Sequence, residues 1–144
     1  MLKLIRKRRE KGEKGQALVE FALLVPIFLI LLFAIVDFGM GFYSWITVTN
    51  SAREGARIGA VQASEQDIKD RVHDTAGLPN EDANMKILVT NAADQGGLPG
   101  QSVVVKVDYR FDLITPLAGL MAVLSGDIIG PQLTLSSTAE MRLE

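Results

Sequence analysis

The sequence predicts an α+β protein: a long N-terminal helix, membrane-inserted in its first half, packed on a small antiparallel sheet of about three strands with one or two short helices. Three observations carry that expectation. Phe21 to Val36 (FALLVPIFLILLFAIV) is sixteen residues without a charge, close to the ~20 apolar residues that a helix needs to cross a bilayer core. Small residues recur at helical spacing well beyond that run. Further on, two stretches alternate apolar and polar residues with the period of a half-buried strand.

Charge is distributed unevenly along the 144 residues. Residues 1–15 hold seven basic and two acidic side chains, whereas residues 16–144 hold eight basic and fifteen acidic ones. A basic tip on an acidic body, followed at once by an apolar run, reads as membrane topology, with the basic flank cytoplasmic and the remainder outside. Nucleic-acid binding is the competing reading of Arg6, Lys7, Arg8 and Arg9; beside a membrane helix such charges fix orientation and meet anionic headgroups, so no nucleic-acid partner is expected. The absence of cysteine excludes a disulfide scaffold, a thiolate zinc site and a cysteine nucleophile.

The apolar run extends through Ala17 to Val19 on one side and Phe38 to Ile46 on the other. Glu20 lies near one interface and Asp37 marks the outer one. A buried core helix is the bland alternative, but a helix apolar all round needs more protein around it than the following residues supply. Two other readings stay open: a retained anchor, and a secretory signal with Gly39-Met40-Gly41 as candidate cleavage point, for which the apolar region is long. Pro26 removes one backbone hydrogen bond and is expected to bend the membrane part. Beyond the membrane, Ser44 to Ala63 contains no proline. Ala52, Ala56 and Ala60 form one row on this helix, and Ser51, Gly55 and Gly59 form the adjacent row. That flat stripe is the expected floor for the sheet. Arg53 and Arg57 occupy another face, with Glu54 in reach of Arg57.

Ser64 with Asp67 is a helix-start signature, followed by Ile68, Val72 and Ala76 at four-residue spacing and stopped by Gly77 and Pro79. Pro79 to Asn84 reads as a polar loop, Met85 to Thr90 as a strand, and Asn91 to Gln101 as a Gly-rich connection. In Ser102 to Asp112, Val103, Val105, Val107, Tyr109 and Phe111 share one face. Leu133 to Leu143 alternates likewise. Pro116 to Leu124 is a short apolar segment, expected to be a helix covering the sheet, with an exposed apolar tip as the alternative, since exposed apolar patches of that size usually need a partner. The organisation that follows is 1–15 basic leader, 16–43 membrane-inserted helix, 44–63 its extracytoplasmic continuation and 64–144 a small α+β head.

No residue pattern points to an enzyme, a metal or a cofactor. His73 is the only histidine, with Asp70 and Asp74 near it, and a lone histidine on a charged helix face is ordinarily solvated. Asp94, Asp108, Asp112 and Asp127 are scattered carboxylates, and the Gly96-Gly97 stretch lacks the lysine and following helix of a phosphate loop.

What remains is Glu20, a carboxylate at the start of a membrane-directed helix, costly there unless it finds a partner or stays at the interface. Its setting is Lys14-Gly15-Gln16-Ala17-Leu18-Val19-Glu20-Phe21. A basic leader, a glycine, a glutamate five residues later and an aromatic sixth, all before an apolar helix, resemble the processing site of type IV-like prepilins. Within that group GQALVEFALLVPIFLILLFAIVDFG, continuing into TNSAREGARIGAV and ending near AEMRLE, is similar to the TadE-like minor pilins or pseudopilins of tight-adherence (Flp) pilus systems. The likeness is close over residues 15–63 and loose over 133–144.

The resemblance implies a structural protein of the bacterial inner membrane, single pass, with its N-terminus cytoplasmic and its head outside or carried into a pilus. A prepilin peptidase would cleave after Gly15 and leave Gln16 as the new N-terminus. Glu20, with Phe21 beside it, would serve recognition or axial register by pairing with the α-amino group of a neighbouring subunit. The implied partners are the peptidase, other pilin subunits, the inner-membrane assembly machinery and membrane lipid. Flp major pilins are little more than the first helix, so a sheet-bearing head favours a minor, initiating or tip-associated subunit. A membrane-anchored extracytoplasmic binding module that is never processed is the alternative.

Overall fold

The computed structural model describes residues 2–119 and 132–144. Its elements in chain order are α1 (Leu2–Ala60), α2 (Glu65–Ala76), α3 (Glu81–Asn84), β1 (Met85–Thr90), a 3-10 turn (Ala93–Gln95), β2 (Ser102–Asp112) and β3 (Gln132–Arg142). The chain divides into two compact units, Met1–Val36 and Asp37–Glu144.

The first unit is helix alone. None of its most apolar 18-residue window is buried, and Leu18, Phe21, Leu24, Ile27 and Leu31 all face outward. A segment apolar on every side with no protein packed around it is suited to hydrocarbon rather than water. Pro26 lies inside the helix, which continues on both sides of it.

In the second unit, three antiparallel strands in the order β1-β2-β3 form the sheet. Met85 pairs with Tyr109 and Thr90 with Val104, while Ser102 pairs with Arg142 and Asp112 with Gln132. The strand period puts Val103, Val105, Val107, Tyr109 and Phe111 on the buried face. Val89 and Ala139 flank Val105 on that face, and both are buried. Across the core lie Val48, Ala52 and Ala56 of α1 and Ile68, Val72 and Ala76 of α2. Each fully buried Ile or Val here is worth about 1.5–3 kcal/mol relative to exposure.

The stripe of small residues is what admits the sheet and α2 to α1. A Cβ added to Gly55 would lie 2.6 Å from Val72 Cγ2, and one added to Gly59 would lie 3.0 Å from Val103 Cγ2. α1 stops after Ala60 because Val61 and Gln62 bond back three residues, to Ile58 and Gly59, and Gln62 turns left-handed at φ 61. Helix α2 starts with a reciprocal capping box between Ser64 and Asp67 and ends on Gly77 in the left-handed conformation.

Two expectations need correction. Pro79 to Asn84 is not all loop: Asn80 adopts φ 54 and starts the single turn of α3, which polar residues at a turn start allow. The Gly-rich connection contains the 3-10 turn, where Gln95 reaches back to the Ala92 N–H and to the Val89 carbonyl. The helix also reaches back through the basic residues to Leu2. Of Pro116 to Leu124, Pro116 is an exposed turn residue and residues 117–119 are helical; 120–124 lie outside the described residues.

Filling the stripe should loosen the head. Gly55→Val in the detergent-solubilised protein is expected to cost about 1–3 kcal/mol by overpacking against Val72 and Ile68. Gly39→Ala, where an added Cβ meets nothing within 4 Å, should cost nothing. Chemical denaturation followed by circular dichroism measures both, and equal stability of the two variants would show that the close approach does not hold in solution.

Candidate functional site

Every residue singled out from the sequence as functional lies on α1, so the site is a helix read along its length. Before the apolar run, Gly15 has nothing within 4 Å of an added Cβ. From the next residue, Gln16 Nε2 donates to Glu20 Oε1 at 3.0 Å, the i to i+4 spacing of one helix face. Glu20 and Phe21 are both exposed. Glu20 therefore shares its face with Gln16 on one side and with Leu24 and Phe28 on the other, one carboxylate at the head of a hydrocarbon surface. Such a group has strong reason to acquire a cationic partner when water is removed.

At the other end, Ala52, Gly55, Ala56 and Gly59 are buried and Ala60 half-buried. The Ala60 carbonyl accepts the Glu144 N–H at 3.0 Å, and Gln62 Nε2 donates to the Glu144 carbonyl at 3.0 Å. These bonds tie the chain's last residue to the end of α1. The arginine-bearing face is also organised. Glu54 accepts from Arg57 Nε at 2.9 Å and Nη2 at 2.6 Å, and from Arg71 Nη2 of α2 at 2.7 Å, while Arg53 is exposed.

Between the two ends lies a contact that sequence reasoning missed. Asp37 is only 3% exposed. Its Oδ1 accepts the backbone N–H groups of Ile114 at 3.0 Å and Thr115 at 3.1 Å, and its Oδ2 accepts the Thr115 hydroxyl at 2.5 Å. The Thr115 oxygen in turn accepts from the Leu117 N–H at 3.3 Å, starting the helical residues 117–119. Asp37 thus fastens a loop seventy-seven residues away. Its only signal in the sequence was a charge where the apolar run ends, and its partners are backbone groups, which no side-chain pattern can announce.

The scattered polar residues serve local structure. His73 Nδ1 lies 3.3 Å from Glu81 Oε2, and Asp70 instead accepts from Gln66 at 2.7 Å. Asp94 accepts the Glu65 N–H at 2.8 Å, and Asp108 accepts from Ser136 and pairs with Lys106 at 3.1 Å. Asp112 is exposed at the end of β2, and Asp127 lies outside the described residues. Among the described residues no group of three His, Cys, Asp or Glu side chains is arranged to hold a metal ion.

The hydrogen bonds from Arg57 and then Arg71 pull the Glu54 carboxyl from its ordinary 4.5 down to about 2. A depressed carboxylate favours folding above its ordinary value and loses that contribution as the pH falls from about 5 toward 2. Carboxyl-carbon NMR should therefore find Glu54 titrating near 2, and Arg71→Ala should raise the midpoint toward 4.5. An unchanged midpoint in Arg71→Ala would show that α2 is not fastened through this pair.

Comparison with known proteins bears on the same helix. The family model described as TadE-like protein matches residues 15–57. Comparison with curated proteins and with solved structures gives no match. The matched segment begins at Gly15, runs through Glu20 and the apolar run, and ends among the small residues that seat the sheet. Over residues 15–57 the chain is similar to TadE-like proteins.

Proposed function

We propose that this chain is a structural minor pilin or pseudopilin of a tight-adherence pilus, made with residues 1–15 as a cytoplasmic leader, residues 16–43 in the inner membrane and the head outside. The observation that carries the reading is the succession along one helix: Gly15 and Glu20 at the head of an apolar segment exposed on every side, then a stripe built to hold a folded domain. An anchor alone needs neither the glycine nor the carboxylate. A subunit that is first a membrane protein and then a packed helix in an assembly uses both.

In this reading a prepilin peptidase adds water across the Gly15–Gln16 peptide bond, leaving a carboxylate on Gly15 and an α-ammonium on Gln16. Gly15 fits because any side chain there would crowd the protease, and Phe21 follows Glu20 as part of the recognised sequence. After cleavage Glu20 pairs with the Gln16 ammonium of a neighbouring subunit. In a bundle of low dielectric, that pairing offsets the burial of both charges and fixes the axial register. Ala52, Gly55, Ala56, Gly59 and Ala60 keep the head on its helix throughout. Other pilin subunits and the inner-membrane assembly machinery are the partners, and the protein's role is architectural rather than catalytic.

N-terminal mass spectrometry of protein from hosts with and without a co-expressed prepilin peptidase tests the processing. A chain starting at Gln16 is expected only with the peptidase and not from Gly15→Val. A chain starting at Met1 in both hosts, with the peptidase active on a control substrate, would favour an unprocessed anchored binding module. Glu20→Ala should insert into the membrane but leave cells without pili, scored by electron microscopy and adhesion. Normal piliation by that variant would remove the register role.

A further inference from the structure

We infer that Gln16, once it is the N-terminal residue, is a latent cyclisation site, and that Glu20 of the same chain restrains the reaction by holding the Gln16 side-chain amide; this rests on the processing reading above. Cleavage after Gly15 sets a free α-amine beside a side chain that ends in a carboxamide. Those two groups can close a lactam ring. The amine attacks Cδ, the N–Cδ bond forms and the Cδ–Nε2 bond breaks, and Nε2 leaves as ammonia with the proton that the amine gives up. The product is uncharged, so it can no longer act as the ammonium that pairs with Glu20 of a neighbouring subunit.

The geometry of α1 opposes that reaction. Gln16 Nε2 donates to Glu20 Oε1 at 3.0 Å, and both residues are exposed. The nitrogen of residue 16 points toward the start of the helix, whereas residue 20 lies one turn toward its end. An amide held on Glu20 is therefore drawn forward, away from its own α-nitrogen, and ring closure requires this bond to break first. An amide N–H that donates to a carboxylate also gains resonance, which makes Cδ a weaker electrophile while the bond lasts. Ala17, Leu18 and Val19 carry no polar side chain, so in this turn Glu20 is the side-chain acceptor within reach of the amide. Cleavage does not remove the arrangement, because the helical bond from the Glu20 N–H to the Gln16 carbonyl lies wholly within the new chain. Glu20 is a positioning residue in this respect: it acts on the amide, and through the amide it preserves the charge on the amine.

The test uses the full chain in phosphatidylethanolamine–phosphatidylglycerol vesicles, with a site-specific protease sequence in place of residues 12–15, so that cutting exposes Gln16 without the prepilin peptidase. Mass spectrometry of the N-terminal peptide during incubation at neutral pH follows the loss of one ammonia. Glu20→Ala should cyclise about two- to ten-fold faster than the chain that keeps Glu20. Glu20→Gln, which retains an acceptor oxygen without the charge, should cyclise more slowly than Glu20→Ala. Equal rates with and without Glu20 overturn the inference, and so does a slower rate in Glu20→Ala, the result expected of a carboxylate acting as a base on the amine. Glu20→Gln cyclising as fast as Glu20→Ala also overturns it, since the effect then belongs to charge and not to the held amide. The protease supplies the N-terminus in all of these measurements, so their outcome is separate from that of processing. A chain that the prepilin peptidase never cuts after Gly15 overturns the processing reading and, with it, the occurrence of this site in the cell.

Discussion

Backbone can approach backbone closely only where nothing larger than a methyl group intervenes, and the head depends on that constraint along one side of α1. Ser51, Ala52, Gly55, Ala56 and Gly59 are buried there, and an added Cβ at Gly55 or Gly59 would run into Val72 or Val103. The sheet and α2 therefore share one surface of one helix. Their branched side chains supply the volume that α1 withholds, a complementary division that close-packed interiors require. The bonds of Glu144 to Ala60 and Gln62 add a tie at the end of the same helix.

The same helix meets two environments with opposite demands. Hydrocarbon asks for apolar residues on every face, whereas a water-exposed domain asks for one buried stripe and polar remaining faces. The composition changes accordingly: Phe21 to Val36 is uncharged, and Arg53, Glu54 and Arg57 appear once the stripe is established. Asp37 stands where the two regimes meet. Burying a carboxylate is costly unless its lone pairs are met, and the three donors from Ile114 and Thr115 meet them. The bonds that stabilise this charge also determine where the loop goes.

Much of this was legible in the sequence because the signals are local. The limits of β1 and β2 follow from alternation and bounding polar residues, and α2 announces itself by Ser64, Asp67 and the Ile68, Val72, Ala76 row. Where the signal was weak, local geometry won: Asn80 tolerates a left-handed conformation that allows α3, and Gln95 organises a turn through its own side chain. Glu54 looked like half of a surface pair with Arg57, and the fold adds Arg71 from α2, a partner seventeen residues away that no periodicity indicates.

By itself the sequence determined the class of the fold, the apolar segment, the basic residues before it with Gly15 and Glu20 at its start, and the likeness to TadE-like proteins, because each is written in spacing along one chain. The tertiary structure alone decided that Asp37, the charge at the end of the apolar run, is also a fastening, and that α2 as well as the sheet lies on the small-residue stripe. Those outcomes depend on which distant backbone groups and side chains arrive at a given face, and arrival is governed by packing rather than by neighbours in sequence.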